Sequence, residues 1–298
     1  MKRIIVSDSS SNIFAIPGAA YTTVPMKVIF GGKEYVDTPD LDVKEMVDDL
    51  SLDLAEMVEG LKNHKGKSGS ACPSVGEWLD AFGDADEVFG LTISKNLSGS
   101  YNSAKQAAEI FKQENPGKKI FIFDTLTAGP QQAMLADKLN ELINQGLDFE
   151  TVRVKAQEYH DHTHILFCLE SMNNLARNGR VNPAVAKIAG LLGIRACGSA
   201  PNGFITAEQK PRGMKKAMDT LVQMMADRGL QDGNLVRVAH CFGLEQANAL
   251  KEATLAKYPN VRFVIEPTTA LCSFYAEEGG LMIGLEGGFN EPNKGRDF

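Results

Sequence analysis

Cysteine is sparse in this chain and scattered. Cys72, Cys168, Cys197, Cys241 and Cys272 are odd in number, far apart and free of any C-x-x-C pair. That argues against a disulfide framework and for reduced structural thiols, as expected of a cytoplasmic protein. A basic excess is also missing: 31 Lys and Arg face 38 Asp and Glu, a net charge of -7. A general nucleic-acid binder would carry the opposite balance. No apolar run approaches the roughly 20 residues that a membrane-spanning helix needs. At the start, MKRIIVSDSS, Asp8 cuts the only apolar run far short of a signal-peptide core. Nucleotide and hydrolase fingerprints are lacking too. No G-x-G-x-x-G follows a strand, and no G-x-S-x-G elbow exists. Gly66-Lys67-Ser68 hints at a phosphate loop, but Leu61 stands where that pattern requires glycine.

What remains is an ordinary globular composition over 298 residues, 43% apolar and 23% charged. That length suits one large domain or two smaller ones. Apolar stretches at 3–6, 22–29, 88–92, 120–123, 164–169, 236–241, 261–265 and 281–285 read as strands. Helical periodicity alternates with them at 43–50, 54–63, 75–82, 100–113, 131–144, 149–158, 210–227 and 244–258. Ser74 and Glu77 have the spacing of a capping box. In the helix over 131–144, Leu135, Leu139, Leu142 and Ile143 share one face. Strand and helix in alternation predict an α/β fold with a mostly parallel sheet in the first part. From about residue 170 the texture changes, and a hairpin is expected between 195–198 and 204–208 around Pro201-Asn202-Gly203. Two α/β domains, 1–160 and 161–298, are therefore expected.

The stretch 91–104, LTISKNLSGSYNSA, is the most suggestive. It joins the end of a buried strand to the start of a helix and crowds Ser94, Lys95, Ser98, Gly99, Ser100 and Ser103 into the junction. A helix N-terminus offers unpaired N–H groups and a positive dipole end, which suit an anion. A second polar loop, Ser7 to Ser11, also lies just past a strand, where ligands of open α/β sheets tend to sit. His160, His162 and His164 alternate, so on a strand they could converge on a metal. They sit at a helix-to-strand crossing with no further ligand at a compelling spacing, and no metal is expected. A basic run, Lys210, Arg212, Lys215 and Lys216, is unusual in an acidic protein and suits an acidic partner.

Several segments, in order, resemble the DegV family of bacterial fatty-acid-binding proteins. They are Val6-Ser7-Asp8-Ser9, the loop 70–76, the stretch 91–104, Phe123-Asp124-Thr125, LARNGRV at 175–181, GLLGIR at 190–195 and KPRGMKKA at 210–217. The resemblance implies two α/β lobes with an acyl chain buried in one and its carboxylate near their junction. It implies a carrier rather than an enzyme, with no cofactor. The carrier would present a long-chain fatty acid such as palmitate, stearate or oleate to a separate kinase resembling dihydroxyacetone kinase, for acyl-phosphate formation and phospholipid synthesis. Ser70 stands at the position of a family threonine that binds the carboxylate. Ser94 opens the run whose second serine is a further ligand in the family, and here Lys95 replaces that second serine. Tyr275 falls where the family has a histidine near the carboxylate, and the Gly-Pro-Gly after it is lost. The expected carboxylate-binding set is thus Ser70, Ser94, Lys95, Ser98 and Tyr275, with Lys95 pointing at the carboxylate and the helix-start N–H groups near Ser98 assisting. Arg180, Lys210 and Arg212 match kinase-facing positions. Two other readings stay open: a hydrolase or acyltransferase with Ser70 or Ser94 as nucleophile and His240 or the 160–164 cluster as base, and a lipid-sensing regulator without a kinase.

Overall fold

The structure, a computed structural model, describes residues 1–39, 46–47, 50–189, 191 and 193–290. In chain order its first half contains β1 (Arg3–Asp8), β2 (Tyr21–Val24), β3 (Lys27–Phe30), β4 (Lys33–Val36), β5 (Met46–Val47), β6 (Leu50–Ser51), α1 (Leu52–Asn63), β7 (Ser68–Ala71), α2 (Val75–Phe82), β8 (Glu87–Thr92), α3 (Ser100–Glu114), β9 (Lys119–Asp124), α4 (Pro130–Asn144) and α5 (Phe149–His160). The second half contains β10 (Thr163–Leu169), α6 (Asn173–Arg177), α7 (Pro183–Ala189), β11 (Ala196–Ser199), β12 (Thr206–Gln209), α8 (Met214–Asp227), β13 (Leu235–His240), α9 (Leu244–Leu255), β14 (Arg262–Pro267), α10 (Ala270–Ala276) and β15 (Leu281–Glu286).

The first sheet, β2-β1-β8-β9, is parallel throughout. Its strands alternate between two covered faces, as a period of two requires. Ile5, Phe89, Leu91 and Phe123 meet Leu135, Leu139 and Phe149 on one face. Val6, Val88, Ile120 and Ile122 meet Trp78, Phe82, Ala104 and Phe111 on the other. The second sheet, β12-β11-β10-β15-β13-β14, is antiparallel except for the β13–β14 pair. The Met214, Met218, Leu221 and Met225 stripe of α8 packs on it as expected. Helix α4 lies between the sheets, against β1 and β8 of one and β10, β13 and β15 of the other. Gly284 permits this approach, because a Cβ there would come within 2.7 Å of Gln131 N. Arg237 fastens the same seam, paired twice with Glu266 and at 2.7 Å with Asp137 on α4.

Several segments differ from expectation, among them α6 and α7, where no helix was expected. The single strand expected over 22–29 is broken at Pro25, which has no N–H to continue a ladder. Its halves therefore join different sheets, β2 the parallel one and β3 a small antiparallel sheet, β4-β3-β7. Residues 67–74, expected as a loop, contribute β7, which pairs Ser70 with Val28. Helix α10 was not anticipated at all. The helix expected over 43–50 falls largely outside the described residues, and of it Met46–Val47 and Leu50 belong to a short ladder. The capping box is present, with Glu77 N bonded to Ser74 Oγ and Ser74 N to Glu77 Oε2.

Candidate functional site

Two polar clusters follow strand ends, and they differ in what surrounds them. The first is centred on Asp8, at the end of β1 and wholly buried. Its Oδ1 accepts from Ser10 Oγ and from Gln132 Nε2 at 3.0 Å. Its Oδ2 accepts from Ile93 N at 3.0 Å and Ser100 Oγ at 2.6 Å. Burial raises the pKa of this carboxyl above its ordinary value, against the opposing pull of these donors. Ser9, Ser10 and Ser11 are buried as well, and Ser9 Oγ accepts from Met26 N. The polar loop that suggested a ligand site is thus turned inward, joining β1 to α4 and to the turn before α3.

The second cluster borders an apolar void. Ser70 on β7 and Tyr275 on α10 share a hydrogen bond of 2.8 Å across 205 residues of sequence. Together with Ser98 and Arg180 they line a cavity otherwise walled by apolar side chains, including Met26, Ile93, Leu97, Leu271 and Met282. A second cavity, lined by Phe167, Leu169, Ala200 and Ala276, shares Leu97, Ala128, Leu175, Ile205, Tyr275 and Met282 with the first. Each measures about 80 Å³. Both are walled mainly by apolar side chains, and hydroxyls and a guanidinium border the first.

Helix α10 is held by Asp37, which the sequence reading missed. Asp37 lies just beyond β4, buried, and its N–H bonds Met26 O. The carboxylate accepts from Ala270 N at 2.9 Å, Leu271 N at 3.3 Å and Thr269 Oγ1 at 3.2 Å. Burial outweighs these donors and pushes its pKa up to about 6. Asn12 adds a second clamp, accepting from Thr269 N at 2.8 Å. A lone Asp after a short polar strand gives no local signal of this role.

Of the expected carboxylate-binding residues, Ser70, Ser98 and Tyr275 come together and Ser94 and Lys95 do not. Ser94 is buried behind the turn, and its hydroxyl donates to Gly203 O at 3.0 Å. Lys95 does not point at the cavity. Its side chain is 54% exposed, with Nζ 3.5 Å from Asp124 Oδ2, and its own N–H bonds Asp124 Oδ1. The N–H groups near Ser98 are used within the turn: Leu97 N and Ser98 N bond Ser94 O, and Ser100 N bonds Ser98 Oγ. Arg180, expected to face a partner, borders the cavity, with Nε bonded to Leu97 O at 3.1 Å. Lys210 and Arg212 are exposed, away from both cavities.

The histidines do not converge. His160 bonds Thr125 O, His162 bonds Glu158 O and His164 bonds Gly288 O. Among the described residues no group of three His, Cys, Asp or Glu side chains could hold a metal ion. His240 accepts from Gly243 N, while Ser70 and Ser94 bond Tyr275 and Gly203. Nucleophilic attack instead requires a hydroxyl bonded to an adjacent base. No helix of the described residues is long and apolar enough to cross a membrane.

Two small apolar cavities, one of them bordered by hydroxyls and a guanidinium, have the chemistry that suits an amphipathic ligand. The DegV family profile, described as that of an uncharacterised protein family, matches residues 2–286, and the chain belongs to this family. It is 35% identical over 287 residues to a DegV domain-containing protein of Streptococcus gordonii, covering 95% of this chain and 98% of that one. A DegV domain-containing protein of Streptococcus pneumoniae is 37% identical over the same span and coverage. Among solved structures it is similar to the Streptococcus pneumoniae Fatty Acid Kinase (Fak) B3 protein loaded with linoleic acid. That match has a TM-score of 0.89 and 34% identity, and covers 97% of this chain and 100% of the other. A DegV family protein from Eubacterium eligens loaded with heptadecanoic acid matches with a TM-score of 0.88 and 32% identity, covering 96% and 100%.

Proposed function

We propose that this protein binds a long-chain fatty acid and carries it, without itself catalysing a reaction, to a separate fatty acid kinase. The observation that carries this reading is the pair of apolar cavities that share six side chains, one of them bordered by Ser70, Ser98, Tyr275 and Arg180. Each buried methylene contributes about 0.8 kcal/mol, so a sixteen-carbon chain supplies roughly 11–12 kcal/mol before ordering costs. An unpaired buried carboxylate would cancel much of that. Three hydroxyls and a guanidinium can offer it charge-assisted bonds, and the guanidinium supplies the compensating charge. Relatives that hold linoleic and heptadecanoic acid support the same ligand class. The Fak B3 relative supports a kinase as the recipient. Lys210 and Arg212, exposed on an acidic protein, give such a partner a basic surface to dock on.

The test is to purify the protein natively, extract it with organic solvent and identify stoichiometric fatty acid by mass spectrometry. Absence of bound lipid, together with no uptake of oleate or palmitate, overturns the carrier reading. Acyl-phosphate formation with a fatty acid kinase and ATP, dependent on this protein, tests the partner. Lys210→Glu combined with Arg212→Glu should lower that rate while leaving oleate binding intact.

A further inference from the structure

Helix α10 supplies Leu271, Cys272 and Tyr275 to one apolar cavity, and Tyr275 and Ala276 to the other. Four of its seven residues thus border a cavity. The start of this helix is not capped by its own segment, because Thr269, at the cap position, makes no side-chain bond to it. The acceptors come from the opposite end of the chain. The buried Asp37 carboxylate takes Ala270 N, Leu271 N and the Thr269 hydroxyl at 2.9 to 3.3 Å. Asn12 accepts from Thr269 N and donates to Pro267 O at 2.9 Å. The other end of α10 is tied within the second half, where Asn174 Nδ2 donates to Phe274 O.

One small sheet therefore governs both members of the Ser70–Tyr275 pair. Ser70 lies on β7, opposite Val28 of β3. Asp37 follows β4, which flanks β3 on its other side, and its N–H bonds Met26 O just before β3. The sheet sets Ser70 directly and Tyr275 through the Asp37 clamp. From Leu271 to Tyr275 is about 6 Å of helix rise, so a displaced helix start carries the phenol with it. The 2.8 Å bond between Tyr275 and Ser70 has little tolerance, since O–H···O bonds fade beyond about 3.0 Å. Polar groups held in their binding geometry beforehand recognise a ligand without a further ordering cost.

Resting on the fatty-acid reading, we infer that Asp37 is a positioning residue for carboxylate recognition. It lines neither cavity and acts through α10, holding the Tyr275 hydroxyl beside Ser70 so that both can meet the ligand's carboxylate. Thr269 is the clamp's second member, since its hydroxyl is one of the three donors to Asp37.

The experiment is a double-mutant cycle on the delipidated full-length protein, with palmitate dissociation constants from isothermal titration at neutral pH. Asp37→Asn replaces one acceptor oxygen by a donor and should weaken palmitate about fivefold when Tyr275 is present. In a Tyr275→Phe background the same change should weaken it by less than about twofold, because the hydroxyl being positioned is gone. Equal weakening in both backgrounds means a general loosening of the fold and overturns the inference. So does an unchanged affinity in either single variant, and in all these cases the carrier reading stands. If thermal melting shows that Asp37→Asn does not fold, Thr269→Val decides by the same cycle, with about threefold expected when Tyr275 is present. Failure of the unaltered protein to bind palmitate overturns the inference and the carrier reading together.

Discussion

The Asp8 cluster and the Ser70–Tyr275 cluster use the same materials: short hydroxyl side chains close to strand ends. Around Asp8 both carboxylate oxygens have two donors each, and the surrounding serines are wholly buried. Around Ser70 the hydroxyls are half-buried and border a void. A closed polar network fixes geometry, whereas a polar group beside empty apolar space has room to meet a ligand. Serine-rich turns in α/β proteins thus divide by what lies next to them, which composition does not record.

The contrast is broken most forcefully at its closed end. Asp8→Ala leaves Ser10, Ser100, Gln132 and the Ile93 N–H without their acceptor, and should cost about 3–5 kcal/mol of stability in urea denaturation. Asp37→Asn tests the clamp beneath the open cluster. The native carboxyl titrates near 6 against 3.8 for the free group, so the folded state holds its proton more tightly than the unfolded chain. Its contribution to stability is therefore greatest at acid pH and is lost as pH rises from about 4 to 6, by up to about 3 kcal/mol. The variant should lack that part of the slope, as read from denaturation midpoints across the window. At the open cluster, Tyr275→Phe should change stability by less than about 1 kcal/mol yet weaken palmitate binding about five- to tenfold. Isothermal titration separates the two readouts. The smallest effect belongs to Lys95→Ala. An exposed ion pair contributes about 0–1 kcal/mol, and palmitate affinity should stay within about twofold.

Much of the fold was legible because apolar alternation and helical periodicity are local. The β8 segment, buried at all six positions, and the α8 methionine stripe could be read directly. Ser70 was visible only through family resemblance, since Ser-Gly-Ser-Ala carries no strand signal and acquires its conformation from pairing with β3. Lys95 illustrates the opposite failure. Its position matched a ligand in the family, but a long charged side chain beside Asp124 finds water and an ion pair more cheaply than an apolar cavity. Asp37 and α10 depend on contacts more than 230 residues apart, which no window of sequence can reveal.

The break at Pro25 has a further bearing, on how the chain is made. It sends β3, β7 and α1 away from the sheet formed by their sequence neighbours. Met26, Val28, Phe30, Leu54 and Met57 pack instead with Phe167, Leu169, Leu271 and Phe274. During synthesis these early apolar residues have no permanent cover until the last quarter of the polypeptide has emerged. Such delayed closure favours transient association with chaperones and slow, all-or-none maturation. A fragment ending near residue 160 should consequently aggregate rather than fold, despite containing an intact parallel sheet.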